Sequence, residues 1–192
     1  MPSKLSDPCK SCYRPGTYLD NIYRYVHLLE ATEVLEIGFY NGDGASAIMT
    51  AMRDQGWAGR LVDIEPSVIE QAKKRIAGLQ TAKVKWELIE GRSQDVRDKL
   101  SNADFDLIYF DGDHAYDAVK LDAELYLPLT RFALFDDVHL DGPRRVVEAL
   151  MASGEWNGIE YDVAGTAVQK QALLKRSHLD WPWEAVDDAD KS

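Results

Sequence analysis

The sequence predicts an α/β fold: a doubly wound, mostly parallel sheet finished by a C-terminal antiparallel hairpin. Short apolar runs alternate with amphipathic stretches of helical period along most of the chain, which is the rhythm of βαβ units. A glycine-rich turn, VLEIGFYNGDGASA, follows the first of those runs. Two acidic clusters, Asp111 and Asp136-Asp137, follow the fourth and fifth runs, and open α/β sheets bind ligands at that carboxyl edge.

Residues 1–16 read as a loose leader. In residues 17–32, Tyr18, Ile22, Tyr25, Val26 and Leu29 recur at helical spacing, so this segment predicts a helix that packs on the sheet or lines a pocket. VLEIG (34–38) is the first strand and GASAIMTAMRDQG (44–56) its helix. RLVDIE (60–65) is the second, followed by the helix PSVIEQAKKRIAGL with Pro66 near its start. VKWELIEG (84–91) is the third strand, then a short helix in SQDVRDKLSN. FDLIYFDG (105–112) is the fourth, with a helix over 116–127, and RFALFDD (131–137) the fifth, with PRRVVEALMAS as its helix. IEYDV and AVQKQALLKR form the terminal hairpin, with Gly165 and Thr166 at the turn. The acidic tail HLDWPWEAVDDADKS frays in part, with Trp181 and Trp183 able to dock.

Composition narrows the function. At 192 residues, with 45% hydrophobic and 29% charged residues, the chain predicts one domain, residues 1–192, with an ordinary soluble core. No run approaches the ~18 apolar residues of a membrane span, and the N-terminus lacks the apolar stretch of a signal peptide. A cytoplasmic location is the default expectation. A formal net charge of −11 argues against nucleic acid, whose phosphates demand a basic face, and favours a small molecule. Cys9 and Cys12 form a lone C-x-x-C without the second pair a zinc site needs, so two reduced thiols are expected.

Gly38, Gly42 and Gly44 lie in E-I-G-F-Y-N-G-D-G, where glycine lets backbone approach a ligand and adopt positive φ. The amides that open the next helix then offer donors to an anion. The string from Gly42 to Ala47 also fits the dinucleotide pattern G-x-G-x-x-A, but Gly38 already occupies the place directly after the strand. The spacing acid-x-Gly-x-x-x-Gly from Glu36 to Gly42 matches S-adenosylmethionine enzymes instead. Asp63 is the expected ribose anchor, with Glu65, on the same strand face, as the alternative. Ser93 and Gln94 are candidates for an adenine edge, although Ser93 also fits a helix N-cap. Asp111, Asp136 and Asp137 would repel one another without a cation among them, and a divalent ion with hard oxygen ligands is the simplest candidate. His114 suits proton removal near neutral pH. His139 is a weaker candidate, and Asp113 either orients His114 or faces water.

VLEIGFYNGDGASA, LVDIEPS, EGRSQDV, FDLIYFDGDHAY and ALFDDVH come in an order and spacing that resemble the catechol O-methyltransferase-like family, and also macrolide-sugar O-methyltransferases, over roughly residues 34–170. The resemblance implies a Rossmann-like fold, S-adenosylmethionine as methyl donor and Mg²⁺ or another divalent cation. It implies Glu36, Gly38, Gly42, Asp63, Ser93 and Gln94 around the cofactor, and Asp111, Asp136 and Asp137 as metal ligands; Tyr40, in the glycine loop, is expected to shape the cofactor pocket, with Asp111 beside it. His114 stands where catechol enzymes carry a lysine base and some macrolide-type enzymes a histidine. Catechol enzymes end the ligand set with asparagine; the aspartate here resembles the macrolide-type acid pair.

The expected activity is therefore metal-assisted methyl transfer to a hydroxyl of a small molecule. The rivals are an NAD(P)-dependent oxidoreductase, which leaves the acidic cluster unexplained, a non-catalytic cofactor-binding subunit, and a metal-bearing hydroxylase or hydrolase. The cover of roughly 30 N-terminal residues is short for a catechol-type pocket, which a neighbouring subunit of a homo-oligomer could complete. Arg144 and Arg145 could meet an anionic acceptor, or simply be solvated.

Overall fold

The computed structural model describes residues 17–162 and 169–183. The expected leader with Cys9 and Cys12, the hairpin turn at Gly165 and Thr166, and the last nine residues lie outside them.

Helix α1 (Leu19–Leu28) precedes β1 (Glu33–Ile37), α2 (Asp43–Gln55), β2 (Gly59–Glu65), α3 (Glu70–Ala77), β3 (Val84–Glu90) and the one-turn α4 (Ser93–Val96). A 3₁₀ turn at Arg97–Leu100 leads to β4 (Phe105–Phe110), α5 (Tyr116–Tyr126), a second 3₁₀ turn, β5 (Thr130–Phe135), α6 (Asp141–Ala152), β6 (Trp156–Asp162) and β7 (Lys170–Arg176). The seven strands run in the order β3-β2-β1-β4-β5-β7-β6. β1 to β5 run parallel to one another, and β7 is antiparallel to both β5 and β6. The doubly wound sheet with a terminal hairpin is thus the one expected from sequence.

Alternation along each strand sorts side chains to two sides. Val34, Leu61, Leu107, Tyr109 and Leu134 pack with Ile22, Val26, Ile48, Met52 and Ile76 from α1, α2 and α3. Leu35, Ile37, Val62, Ile108, Phe110 and Phe135 pack with Val119, Tyr126 and Val147 from α5 and α6. Each such side chain withdrawn from water contributes about 1.5–3 kcal/mol, so both faces supply core. The edge strand β3 exposes Lys85, Glu87 and Glu90, charges that discourage pairing with a further strand.

Two boundaries differ from expectation. Residues 66–67 bend, 68–69 are irregular, and α3 begins only at Glu70, because Ile69 is extended (φ −87°, ψ 110°). Pro66 therefore ends a strand rather than opening a helix. The hairpin begins earlier than IEYDV, at Trp156, whose ring is buried under Arg176 at 4.3 Å. Trp181 docks as expected: it is 6% exposed, stacks on Trp183 at 4.8 Å and receives Lys175 Nζ at 5.3 Å.

At the amino edge of the sheet, Asp106 accepts from the amides of Thr32 (2.9 Å) and Glu33 (3.0 Å) and from Arg131 (2.5 Å). Burial alone would raise its pKa, but these donors outweigh burial and hold it below the usual carboxylate value. Among the described residues no helix is long and apolar enough to cross a membrane.

Candidate active site

The carboxyl ends of β1, β2, β3 and β4 open into a cleft of about 700 Å³, walled by Gly38, Tyr40, Glu65, Ser93, Gln94 and Asp111, among others. A second chamber of about 260 Å³ adjoins it and shares Gly38, Tyr40 and Asp111; Tyr18, Glu36, Asp43, Asp136, Asp137 and Gln169 also line it.

The glycine turn joins the two. Gly38 has φ +104°, and a Cβ there would lie 2.1 Å from the carbonyl oxygen of Asp111, so only glycine lets the β1 and β4 ends approach this closely. At Gly44, inside α2, a Cβ would lie 2.0 Å from Glu36 Oε1. Gly42, with φ +77°, precedes α2, so the helix amino end faces the chamber. Tyr40 projects into solvent, and its amide donates to Glu65 Oε2 at 2.8 Å.

The register explains which acids meet. Glu36 pairs with Asp63 on one side and Tyr109 on the other, and all three turn to the face covered by α1–α3. Asp63 is fully buried, accepts from Trp86 Nε1 and shares a hydrogen bond with Glu36. Burial, then the charge of Asp63, pushes Glu36 well above its ordinary pKa. Burial likewise raises Asp63 to about 7, against the hydrogen bonds from Glu36 and Trp86. The two carboxyls form an acid–carboxylate pair beneath the chamber. Asp63, the expected ribose anchor, therefore does not reach the cleft; Glu65, one pleat further and at the strand end, does.

Ser93 is held rather than free. Its hydroxyl donates to Asp122 Oδ1, and the Tyr126 hydroxyl donates to its carbonyl at 2.7 Å. Ser93 opens α4, consistent with a helix-start position, but it is not the N-cap, which is Arg92. Gln94 is exposed on the cleft wall.

Asp111, His114 and Asp137 converge: one ligand atom from each lies within 4.8 Å of the others. His114 Nε2 is 3.1 Å from Asp137 Oδ2, and Gln169 Nε2 donates to Asp137 Oδ1 at 3.0 Å. Asp136 stands apart from this cluster. It is 3% exposed, its Oδ2 accepts from Tyr109 at 2.5 Å, and its Oδ1 accepts the Asp137 amide at 2.8 Å. Tyr109 also reaches Asp111 Oδ2 at 3.1 Å, so one phenol bridges two carboxyls. Burial, then the charge of Asp136, drives Asp111 well above its ordinary pKa, while Tyr109 pulls the other way.

Of the weaker candidates, His139 Nδ1 is 3.6 Å from Asp137 Oδ1. Asp113 accepts the Ala115 amide at 2.8 Å, shaping the turn below His114. Arg144 and Arg145 are engaged by Asp141 (2.8 and 3.4 Å), and Arg145 covers the Tyr116 ring at 3.9 Å. Sequence reasoning passed over Tyr109 and Asp122. The first lies two residues before Asp111, hence on the same strand face. The second is the charged member of the otherwise apolar stripe Val119, Asp122, Ala123, Tyr126.

A family model described as a methyltransferase domain matches residues 35–138, more than half of the chain. The chain belongs to this methyltransferase-domain family. The match takes in the glycine turn and both acidic clusters, so the dinucleotide reading of Gly42-Asp43-Gly44 gives way to the methyltransferase one. The methyltransferase domain is 32% identical over 88 residues to a provisionally named O-methyltransferase of Mycobacterium sp. (strain JLS), covering 46% of this chain and 40% of that one. The chain thus matches less than half the length of such curated relatives. The O-methyltransferase TomG of Streptomyces achromogenes, involved in tomaymycin synthesis and solved with SAM, superposes with a TM-score of 0.66 at 23% identity, over 83% of this chain and 79% of TomG. An O-methyltransferase of Bacillus cereus, solved with SAH, gives 0.62 at 17% identity, over 91% and 84%. At such identities these structures share the fold of the methyltransferase domain.

Proposed function

We propose that this methyltransferase domain transfers a methyl group from S-adenosylmethionine to a hydroxyl of a small molecule, assisted by a divalent cation at Asp111 and Asp137. The observation that carries the reading is the convergence of Asp111, His114 and Asp137 within 4.8 Å, on the rim between the two chambers. The names of the relatives and the SAM and SAH bound to the solved neighbours support it.

The donor set fits a cation. Two carboxylates offer hard oxygens of the kind Mg²⁺ and Mn²⁺ take, with further positions left to water or substrate. Asp111 is penalised by the neighbouring charge of Asp136, a repulsion that a cation offsets. When bound, such an ion supplies Lewis acidity that lowers the pKa of a hydroxyl. Asp136 supports from beneath, orienting Asp137 through its amide and sharing Tyr109 with Asp111.

The chain's own groups do the rest. Asp137 Oδ2 faces His114 Nε2, which fixes that nitrogen as the protonated one and leaves Nδ1 to take a proton from the acceptor hydroxyl. Glu65 takes the role first expected of Asp63: its oxygens accept the amides of Tyr40 and Ser67 and keep lone pairs for ribose hydroxyls. Gly38 lets the donor lie against bare backbone. Glu36, paired with Asp63 beneath, lines the smaller chamber where the methionine moiety would lie. Methyl transfer needs alignment more than bond activation by the protein, and orientation of this kind is worth on the order of 7–11 kcal/mol.

The test is a methyl-transfer screen of chelator-treated protein against a panel of diols, with and without added Mg²⁺. Turnover restored by the metal is expected, together with thermal stabilisation by S-adenosylhomocysteine and none by NADH. Equal turnover without metal overturns the cation; stabilisation by NADH alone overturns the methyl donor.

A further inference from the structure

Asp122 plays no part in the chemistry above, yet it is a carboxyl on the inward stripe of α5, between buried Val119, Ala123 and Tyr126. It is 8% exposed and lines the larger cleft beside Ser93 and Gln94. A carboxyl costs free energy in such a place unless both oxygens are used.

One oxygen is accounted for. Oδ1 accepts the Ser93 hydroxyl, and one turn further along the helix Tyr126 grips the carbonyl of the same serine at 2.7 Å. Ser93 has a single hydroxyl proton, which Asp122 takes at closer range than Gln94 Oε1 at 3.3 Å, so it has none to offer a base. The second oxygen, Oδ2, accepts no hydrogen bond among the described residues. It lies beside Gly112 on the cleft wall, where a Cβ would stand 3.7 Å from it.

We infer that Asp122 is a specificity residue of the nucleoside subsite: Oδ2 accepts the exocyclic amino group of the donor's base and selects a 6-aminopurine over a 6-oxopurine. The inference rests on the proposed S-adenosylmethionine reading. Its chemistry is complementarity of lone pairs. An ionised carboxylate only accepts, so an amino group meets it with a proton and an oxo group with a second lone pair. Sites built to bond a polar group discriminate strongly against the analogue that lacks it.

The experiment is calorimetric titration of the full chain with S-adenosylhomocysteine and with S-inosylhomocysteine. Wild type should prefer the adenosyl compound by about tenfold or more, the scale of a hydrogen bond to a charged group. Asp122→Asn preserves size and an acceptor for Ser93 but can turn an NH₂ donor to the cleft, so the preference should collapse or reverse. Asp122→Ala should weaken the adenosyl compound alone; if it does not fold, Asp122→Asn carries the test. A purely structural role weakens both ligands together, so a preference unchanged from wild type in the asparagine variant overturns the assignment. Wild type that binds neither compound overturns the methyl-donor reading itself, a result distinct from unchanged selectivity.

Discussion

His114 Nε2 and Asp137 Oδ2, supplied by the loops after β4 and β5, face each other at 3.1 Å. The contact joins the proposed base to a proposed cation ligand, so the two roles can be separated by experiment. In His114→Asn, turnover should fall by about 10²–10⁴, the usual contribution of a positioned base. Mn²⁺ affinity, followed by paramagnetic resonance, should stay within about threefold, a small change beside that rate loss. Parallel loss of both would make His114 a ligand and leave the base unassigned.

Asp137→Ala should show the complementary pattern. It removes one of the two carboxylates proposed to hold the cation, so Mn²⁺ binding should disappear and turnover with it. Affinity for S-adenosylhomocysteine should persist, because Glu65, Ser93 and Gln94 line the other cleft. Calorimetry with the nucleoside and with the metal, on the same preparation, checks both halves.

Gly38→Ala is expected to damage fold and site together. The residue has φ +104°, and the added Cβ would meet Asp111 O at 2.1 Å, where backbone must move. Strain of this kind costs on the order of 1–3 kcal/mol per residue, before the displaced Asp111 is counted. Urea unfolding should register the loss, and S-adenosylhomocysteine should no longer raise the melting temperature. A variant with wild-type stability and nucleoside binding would contradict the close approach of β1 and β4.

Asp63 gives a pH dependence with a definite sign. Burial raises its folded pKa from 3.8 to about 7, so the native chain holds this proton more tightly than the unfolded chain does. Stability linked to the group is fully present below 3.8 and declines as pH rises through about 7. Asp63→Asn removes the decline while keeping the side chain's size. The melting temperature of the variant minus that of wild type should therefore increase from pH 5 to pH 8, and a flat difference would show that Asp63 does not titrate in this range.

Periodicity alone was enough for the architecture. Apolar runs of strand length, each followed by a helical stripe, can bury both faces of a sheet in only a few ways, and the observed order of strands is one of them. The glycine turn was legible because positive φ and close backbone approach leave few residue types to choose from. The acids at the ends of β4 and β5 were legible as a group because any residue just past a parallel strand emerges at the same edge. The family match over residues 35–138 spans these features.

Roles within the group were decided in three dimensions. Asp63 and Glu65 have the same strand parity, so no pattern separates them; one more pleat carries Glu65 past the cover of neighbouring side chains, and Asp63 stays beneath it against Trp86. Asp136 and Asp137 are adjacent in the chain, yet Asp137 takes φ +50° and turns toward His114 while Asp136 turns down onto Tyr109. Asp122 looks like a flaw in a helix stripe until α5 is laid against Ser93. Local order in the chain dictates which edge a side chain reaches, because strand and helix periods are short-range. Which partner it finds there depends on elements distant in sequence, and that information exists only once the sheet has closed.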